Sequence, residues 1–213
     1  MTSNMQTYIK KYAIIITFVS VFIFAITLEP IPIMLSKYRQ ILTSSSVLIS
    51  DYLAVGDLSA TLLNVVLTTG LNILIIKRLK VEVNGAIFAC LLTIAGFAFF
   101  GKNLYNALPI YFGIYLFCKV TKADCKDHIL VFLLSSGISP ITSFLIFGAG
   151  FSLPVGLVLG ITVGTIVGFI LPAFNSFSMK FHQGYNLYNT GFSMGVISMV
   201  LTGILSSFGI DII

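Results

Sequence analysis

The stretch LPVGLVLGITVGTIVGFILPAF, residues 153–174, carries no charged side chain and repeats glycine every fourth residue, at Gly156, Gly160, Gly164 and Gly168. About 20 apolar residues in a helix, each rising ~1.5 Å, cross ~30 Å of hydrocarbon, so this stretch spans a bilayer. One of its faces is bare backbone. Lipid supplies no hydrophobic force between helices, and small-xxx-small ridges let two backbones approach closely. Gly191 and Gly195 begin a second ridge in the last apolar segment. Both ridges are read as helix-packing surfaces.

The remainder of the chain follows the same chemistry. Of 213 residues, 57% are hydrophobic and 9% charged, with a mean hydropathy of +1.05. Water-soluble domains sit nearer ~45–50% and ~25%, so a soluble globule is excluded. The net charge of +5 is scattered in ones to threes between apolar blocks. That is the pattern of membrane loops facing a lipid bilayer and not of a nucleic-acid surface. Cys90, Cys118 and Cys125 form no CxxC or zinc-like spacing, which implies no disulfide framework, metal or cofactor. Lys10 and Lys11 ahead of an apolar run resemble a secretory signal, but the run ends at Glu29-Pro30 and not at a small-x-small site, so it is read as an uncleaved first helix.

Seven segments meet the length criterion: 12–28, 58–76, 83–100, 104–120, 129–151, 153–174 and 190–210. They make residues 1–213 one all-α transmembrane domain, a polytopic helix bundle. With the N-terminus in the cytoplasm, nine cations (Lys10, Lys11, Lys77, Arg78, Lys80, Lys119, Lys122, Lys126, Lys180) face inward. Three (Lys37, Arg39, Lys102) face outward. Segment 129–151 contains Ser135-Ser136-Gly137-Ile138-Ser139-Pro140 at its middle and reads either as a broken spanning helix or as a re-entrant hairpin. Residues 41–56, apolar but studded with serines and Asp51, are too short and too polar to cross, so a re-entrant or interfacial half-helix is expected there.

Polar groups at membrane depth are expensive and therefore functional by default. Four constellations qualify. Ser44-Ser45-Ser46 through Asp51 offers a helix N-terminus to an anion or polar solute, or else merely caps an interfacial helix. The turn Gly101-Lys102-Asn103 with Asn106 and Pro109 reads as a capped helix start, with Lys102 left over as a cation on the positive-poor side. The Ser139-Pro140 break frees backbone groups, as in the discontinuous helices of transporters. Lys180 to Phe192 holds His182 and the paired amides Asn186 and Asn189, which share one helix face. Asn64 and Asn72 are read as interhelical glue, or as part of a polar pathway.

Ser50-Asp51-Tyr52, Phe100-Gly101-Lys102-Asn103, Ile138-Ser139-Pro140-Ile141 and His182-Gln183-Gly184-Tyr185-Asn186-Leu187-Tyr188-Asn189-Thr190-Gly191-Phe192 together resemble the bacterial DUF1576 family of uncharacterised membrane proteins, from about Ser45 onward. The resemblance implies a protein about twice this length whose second half repeats the same landmarks. This chain holds each landmark once and so resembles one half, either a single-repeat form or a fragment. Two copies of a unit with interrupted helices is the plan of many transporters, so a homodimer or a second repeat is the expected partner. The expected function is a transporter or channel for a small polar or anionic solute in the bacterial cytoplasmic membrane, with Ser46, Asp51, Lys102, Asn103, Ser139, Pro140, His182, Asn186 and Asn189 along the pathway. A non-transporting ligand-binding subunit is the alternative. An enzyme is not expected, since no HExxH, GxSxG or paired carboxylates occur.

Overall fold

A computed structural model describes residues 3–47, 50–181, 183 and 188–211. His182 and Asn186 lie outside the described residues. Those described form α1 (Ser3–Leu28), α2 (Ile31–Thr43), α3 (Tyr52–Arg78), α4 (Gly85–Phe97), α5 (Ala107–Thr121), α6 (Ile129–Leu134), a 3-10 turn (Ser135–Ile138), α7 (Pro140–Phe147), α8 (Leu153–Phe181) and α9 (Asn189–Ser207). One isolated antiparallel bridge, Asp51 to Phe100, is the extended pairing among them. The protein is an all-α helix bundle.

Against the seven crossings read from the sequence, four helices among the described residues are long and apolar enough to cross a membrane, or five if α1 and α2, bent by 108° at Glu29-Pro30, are one broken span. The four are α3, the run 129–147, α8 and α9. The difference lies chiefly in α4 and α5. With 13 and 15 residues they rise about 20 and 22 Å, short of ~30 Å. Residues 98–100 and 104–106, which composition alone assigns to the two apolar segments, instead join 101–103 in the turn of a helical hairpin. Exposed cations flank both its feet: Lys77, Arg78 and Lys80 before α4, Lys119 in the last turn of α5, and Lys122 and Lys126 after it.

The run 129–147 is not a hairpin. It carries no bend above 40° and is 83% buried. The Ser135-to-Pro140 break is a tightening to 3-10 geometry, with Ser139 N–H donating to Ser136 O at 3.2 Å and Thr142 N–H to Ser139 O at 2.9 Å. Pro140 opens α7, where its missing N–H costs nothing.

The half-helix expected over 41–56 also differs. Pro30 and Pro32 fix the start of α2 upstream, and Ser44 is its C-cap. The serine run therefore meets the carboxyl end of a helix and not the amino end. The next helix begins at Tyr52 and kinks at Asp57, which sits at φ 60, ψ 179, a region that costs a non-glycine residue ~1–3 kcal/mol. Lys37 holds it there. Its ammonium pairs with Asp57 and with Glu29, and Glu29 also accepts from Ser59 Oγ at 3.0 Å. This staple ties the α1–α2 bend to the α3 kink.

On α8, Gly156 and Gly160 lie against Ile146 and Thr142 of α7, while Gly164 and Gly168 lie against Pro109 and Ile110 of α5. A Cβ on Gly168 would stand 2.0 Å from Ile110 O, and one on Gly113 2.1 Å from Thr165 O. Here α5 and α8 touch backbone to backbone. The ridge read at Gly191 and Gly195 does not pack. Among the described residues, a Cβ on Gly195 would have nothing within 4 Å and one on Gly191 would meet Tyr188 Cβ at 3.6 Å. The last helix docks instead through Thr190 and Ser193, which are buried, and through Met194, Ile197 and Leu201 against Ile138 and Val167. Hydrogen bonds at Asn189 and Ser193 choose that face and turn the glycines away.

Candidate functional site

The turn between α4 and α5 is built from its own amides. Gly101 adopts φ +70, and a Cβ there would stand 2.3 Å from Val47 O, so glycine is required both by conformation and by close approach. Asn103 and Asn106 clamp each other: Asn103 N–H donates to Asn106 Oδ1, and Asn106 N–H to Asn103 Oδ1, each at 3.0 Å. Asn106 occupies the N-cap position of α5 but makes no cap hydrogen bond. Its side chain is committed elsewhere, since Nδ2 donates to Gly101 O and to Ser143 Oγ, both at 2.9 Å.

Three chain segments converge on this tip. From the α2–α3 connection, Ser46 Oγ lies 3.0 Å from Tyr52 Oη, which donates to Gly101 O at 2.7 Å and accepts from Asn103 Nδ2 at 3.1 Å. Tyr52 N–H donates to Phe99 O at 3.0 Å. From the run 129–147, Ser139 Oγ donates to Asn106 Oδ1 at 2.9 Å, and Pro140 packs against the Gly101 position. From α3, Asn64 Nδ2 donates to Ala98 O at 2.8 Å and to Lys102 O at 2.7 Å. The contact with Ser139 sets the depth, because Ser139 stands about 15 Å from the Ile129 end of its helix and about 12 Å from the Phe147 end. The hairpin tip thus reaches the middle of the bundle, where irregular backbone is tolerated only if buried in protein or lining a polar interior.

The sequence-derived candidates divide accordingly. Ser46, Lys102, Asn103, Ser139 and Pro140 come together at the tip. Asp51 reaches it only through its backbone bridge to Phe100; its side chain is exposed and caps Leu53 N–H at 2.9 Å. Asn189 belongs to another place, where Nδ2 donates to Asn175 O at 2.8 Å and Oδ1 accepts from Ser178 Oγ at 2.9 Å, with Ser178 and Ser193 hydroxyls 2.7 Å apart. Asn72 accepts from Tyr111 Oη at 2.7 Å, joining α3 to α5. Two groups escaped sequence reasoning. Tyr52, the node of the tip, reads locally as an interfacial tyrosine, and the Glu29–Lys37–Asp57 staple joins residues with no helical spacing between them.

Within the tip one group stands out. Lys102 is 1% exposed, and its Nζ has no hydrogen-bond partner among the described residues. Burial without a counter-charge pushes its pKa well below the ordinary lysine range. Nearby acceptors are also left over: Asn64 Oδ1 and Thr142 Oγ1 are buried and unpartnered. Such groups cost free energy that a scaffold has no reason to spend.

The chain belongs to the DUF1576 family, described as a protein of unknown function, whose match covers residues 32–207. No curated protein and no solved structure matches it.

Proposed function

We propose that this DUF1576 member is a multi-pass transporter or channel for a small polar or anionic solute, and that the α4–α5 tip is where the solute is held. The observation that carries the reading is a buried, unpartnered cation at mid-bundle, where a helical hairpin, an interrupted helix pair and a 3-10 turn inside a span all meet. Discontinuous helices around a midplane site are the recurring plan of secondary transporters, and a buried cation facing no protein anion suits a polar or negatively charged cargo. The positive-inside bias supports a cytoplasmic N-terminus in a bacterial cytoplasmic membrane. The uncovered glycines of α9 support a second copy of the chain, related by a parallel two-fold axis, or a second repeat as partner.

The test is swelling of proteoliposomes followed by light scattering, with urea, glycerol and the sodium salts of nitrate, acetate and succinate outside. Wild type is expected to accelerate swelling for at least one of them, and Lys102→Met and Asn106→Ala to abolish it. Flux unchanged in both variants refutes the site, and no flux with any solute refutes transport. The close mutual bonding of Ser46, Asn103, Asn106 and Ser139 favours a second reading, a binding subunit that holds its ligand without passing it. That reading expects ligand binding in detergent with no swelling.

A further inference from the structure

We infer that Lys102 is the ligand for an anion and that it takes up one proton each time the anion binds, so that the protein handles a small anion together with a proton. This rests on the transport reading and names its substrate class and coupling. Most polar side chains contributed by the tip and the segments against it are engaged there, Ser46 and Asn103 on Tyr52, Asn106 on Gly101, and Ser139 and Ser143 on Asn106, while Asn64 Oδ1 and Thr142 Oγ1 are left without partners among the described residues. The backbone of Lys102 is engaged as well, its N–H on Phe100 O at 2.9 Å and its carbonyl on Asn64. The Lys102 side-chain nitrogen has no partner among the described residues.

No carboxylate of the protein fills that place among the described residues. Of the titratable groups on the surrounding segments, Asp51 and Tyr52 stand at the start of α3, Cys90 on α4, Tyr105 in the turn before α5, Tyr111 on α5 and Tyr38 on α2. Asp57, Lys77 and Arg78 lie further along α3, Lys37 and Arg39 on α2, and Tyr115, Cys118 and Lys119 further along α5, while the run 129–147 carries none. Asp51 is exposed and spent on Leu53, while Glu29 and Asp57 are held by Lys37. An isolated ammonium in a low-dielectric interior costs several kcal/mol, so the amine is neutral when alone. A bound anion supplies the opposite charge that makes ionisation favourable. The amine lone pair then takes a proton from water, and no bond of the anion is made or broken. For a monoanion the net charge added is zero, which removes the electrostatic penalty of carrying it through the bundle. Linkage requires the converse, that anion affinity rises as pH falls.

Detergent-solubilised protein in weakly buffered solution at pH 8 is titrated with sodium nitrate, acetate and succinate while pH is recorded, with Tm followed in parallel. The expected result is uptake of about one proton per chain, saturating together with a rise in Tm, for at least one salt. Lys102→Met is expected to fold and to show neither. Lys102→Arg, whose guanidinium stays charged, is expected to show the Tm rise without proton uptake. A saturable Tm rise in wild type without proton uptake, or proton uptake retained in Lys102→Met, overturns this inference while leaving the transport reading to the swelling assay. No response to any of the three salts overturns the anion assignment, and swelling driven by urea or glycerol would then show transport surviving without it.

Discussion

The α4–α5 tip and the α8–α9 seam are assembled from the same residue types, serine and asparagine, yet they end differently. At the seam, Asn189, Ser178, Ser193 and the Asn175 carbonyl answer one another across two helices. The group left over there is a neutral acceptor, Asn175 Oδ1. At the tip an equally dense set of amides and hydroxyls leaves the Lys102 side-chain nitrogen unbound among the described residues. The seam is glue for a helix whose spanning window is only 11% buried, worth ~0.6–2 kcal/mol per bond. The tip uses its hydrogen bonds to hold a turn whose lysine amine is buried with no partner among the described residues. Polar residues in a bundle are therefore sorted less by type than by what remains unpaired once the neighbours are in place.

Four substitutions break or sharpen that contrast. The largest effect belongs to Gly101→Ala, which sets a Cβ against Val47 O at a positive φ. A loss of about 4 kcal/mol or more, seen as loss of a monodisperse peak in detergent chromatography, is expected. Asn106→Ala orphans the Asn103 N–H and the Ser139 hydroxyl and leaves the Gly101 carbonyl with Tyr52 as its one remaining donor among the described residues, and should cost about 3 kcal/mol by thermal unfolding. Lys102→Met should do the opposite and raise stability by about 2 kcal/mol at pH 7, because folding no longer has to bury an amine that must first give up its proton. The pH dependence carries the sign. The unfolded lysine keeps its proton to ~10.4, whereas the folded one gives it up lower. Between those limits the unfolded state holds more protons, and wild-type stability rises with pH. The Tm advantage of Lys102→Met should shrink from pH 7 to pH 10, and a constant gap would mean that Lys102 does not titrate as its burial implies. Ser193→Ala, at the seam, should cost only about 0.6 kcal/mol and leave solute flux unchanged. Flux lost there would move the site to the seam.

Apolar runs at 58–76, 129–151 and 153–174 announced α3, the 129–147 helix and α8, because hydropathy over ~20 residues is a local property. The glycine spacing announced the α8 ridge for the same reason. Runs 83–100 and 104–120 misled, since whether an apolar stretch crosses or turns back depends on Gly101 and on two asparagines whose partners lie tens of residues away. The direction of the Ser44–Ser46 element was equally illegible, being set by Pro30 and Pro32 upstream. The last glycine ridge failed because a helix can present only one face to its neighbour, and Ser193 and Met194 outbid Gly195 for it.

Composition and hydropathy by themselves determined that this chain folds as a helical bundle in lipid, because unpaired backbone in hydrocarbon leaves few alternatives. They also singled out Lys102, since a cation there is costly wherever the chain goes. Only the tertiary structure decided that Lys102 is carried to mid-bundle on a hairpin too short to cross, and that no acid among the described residues meets it. Charge pairing is a property of three-dimensional neighbours, and sequence order does not encode which side chains arrive at the same place.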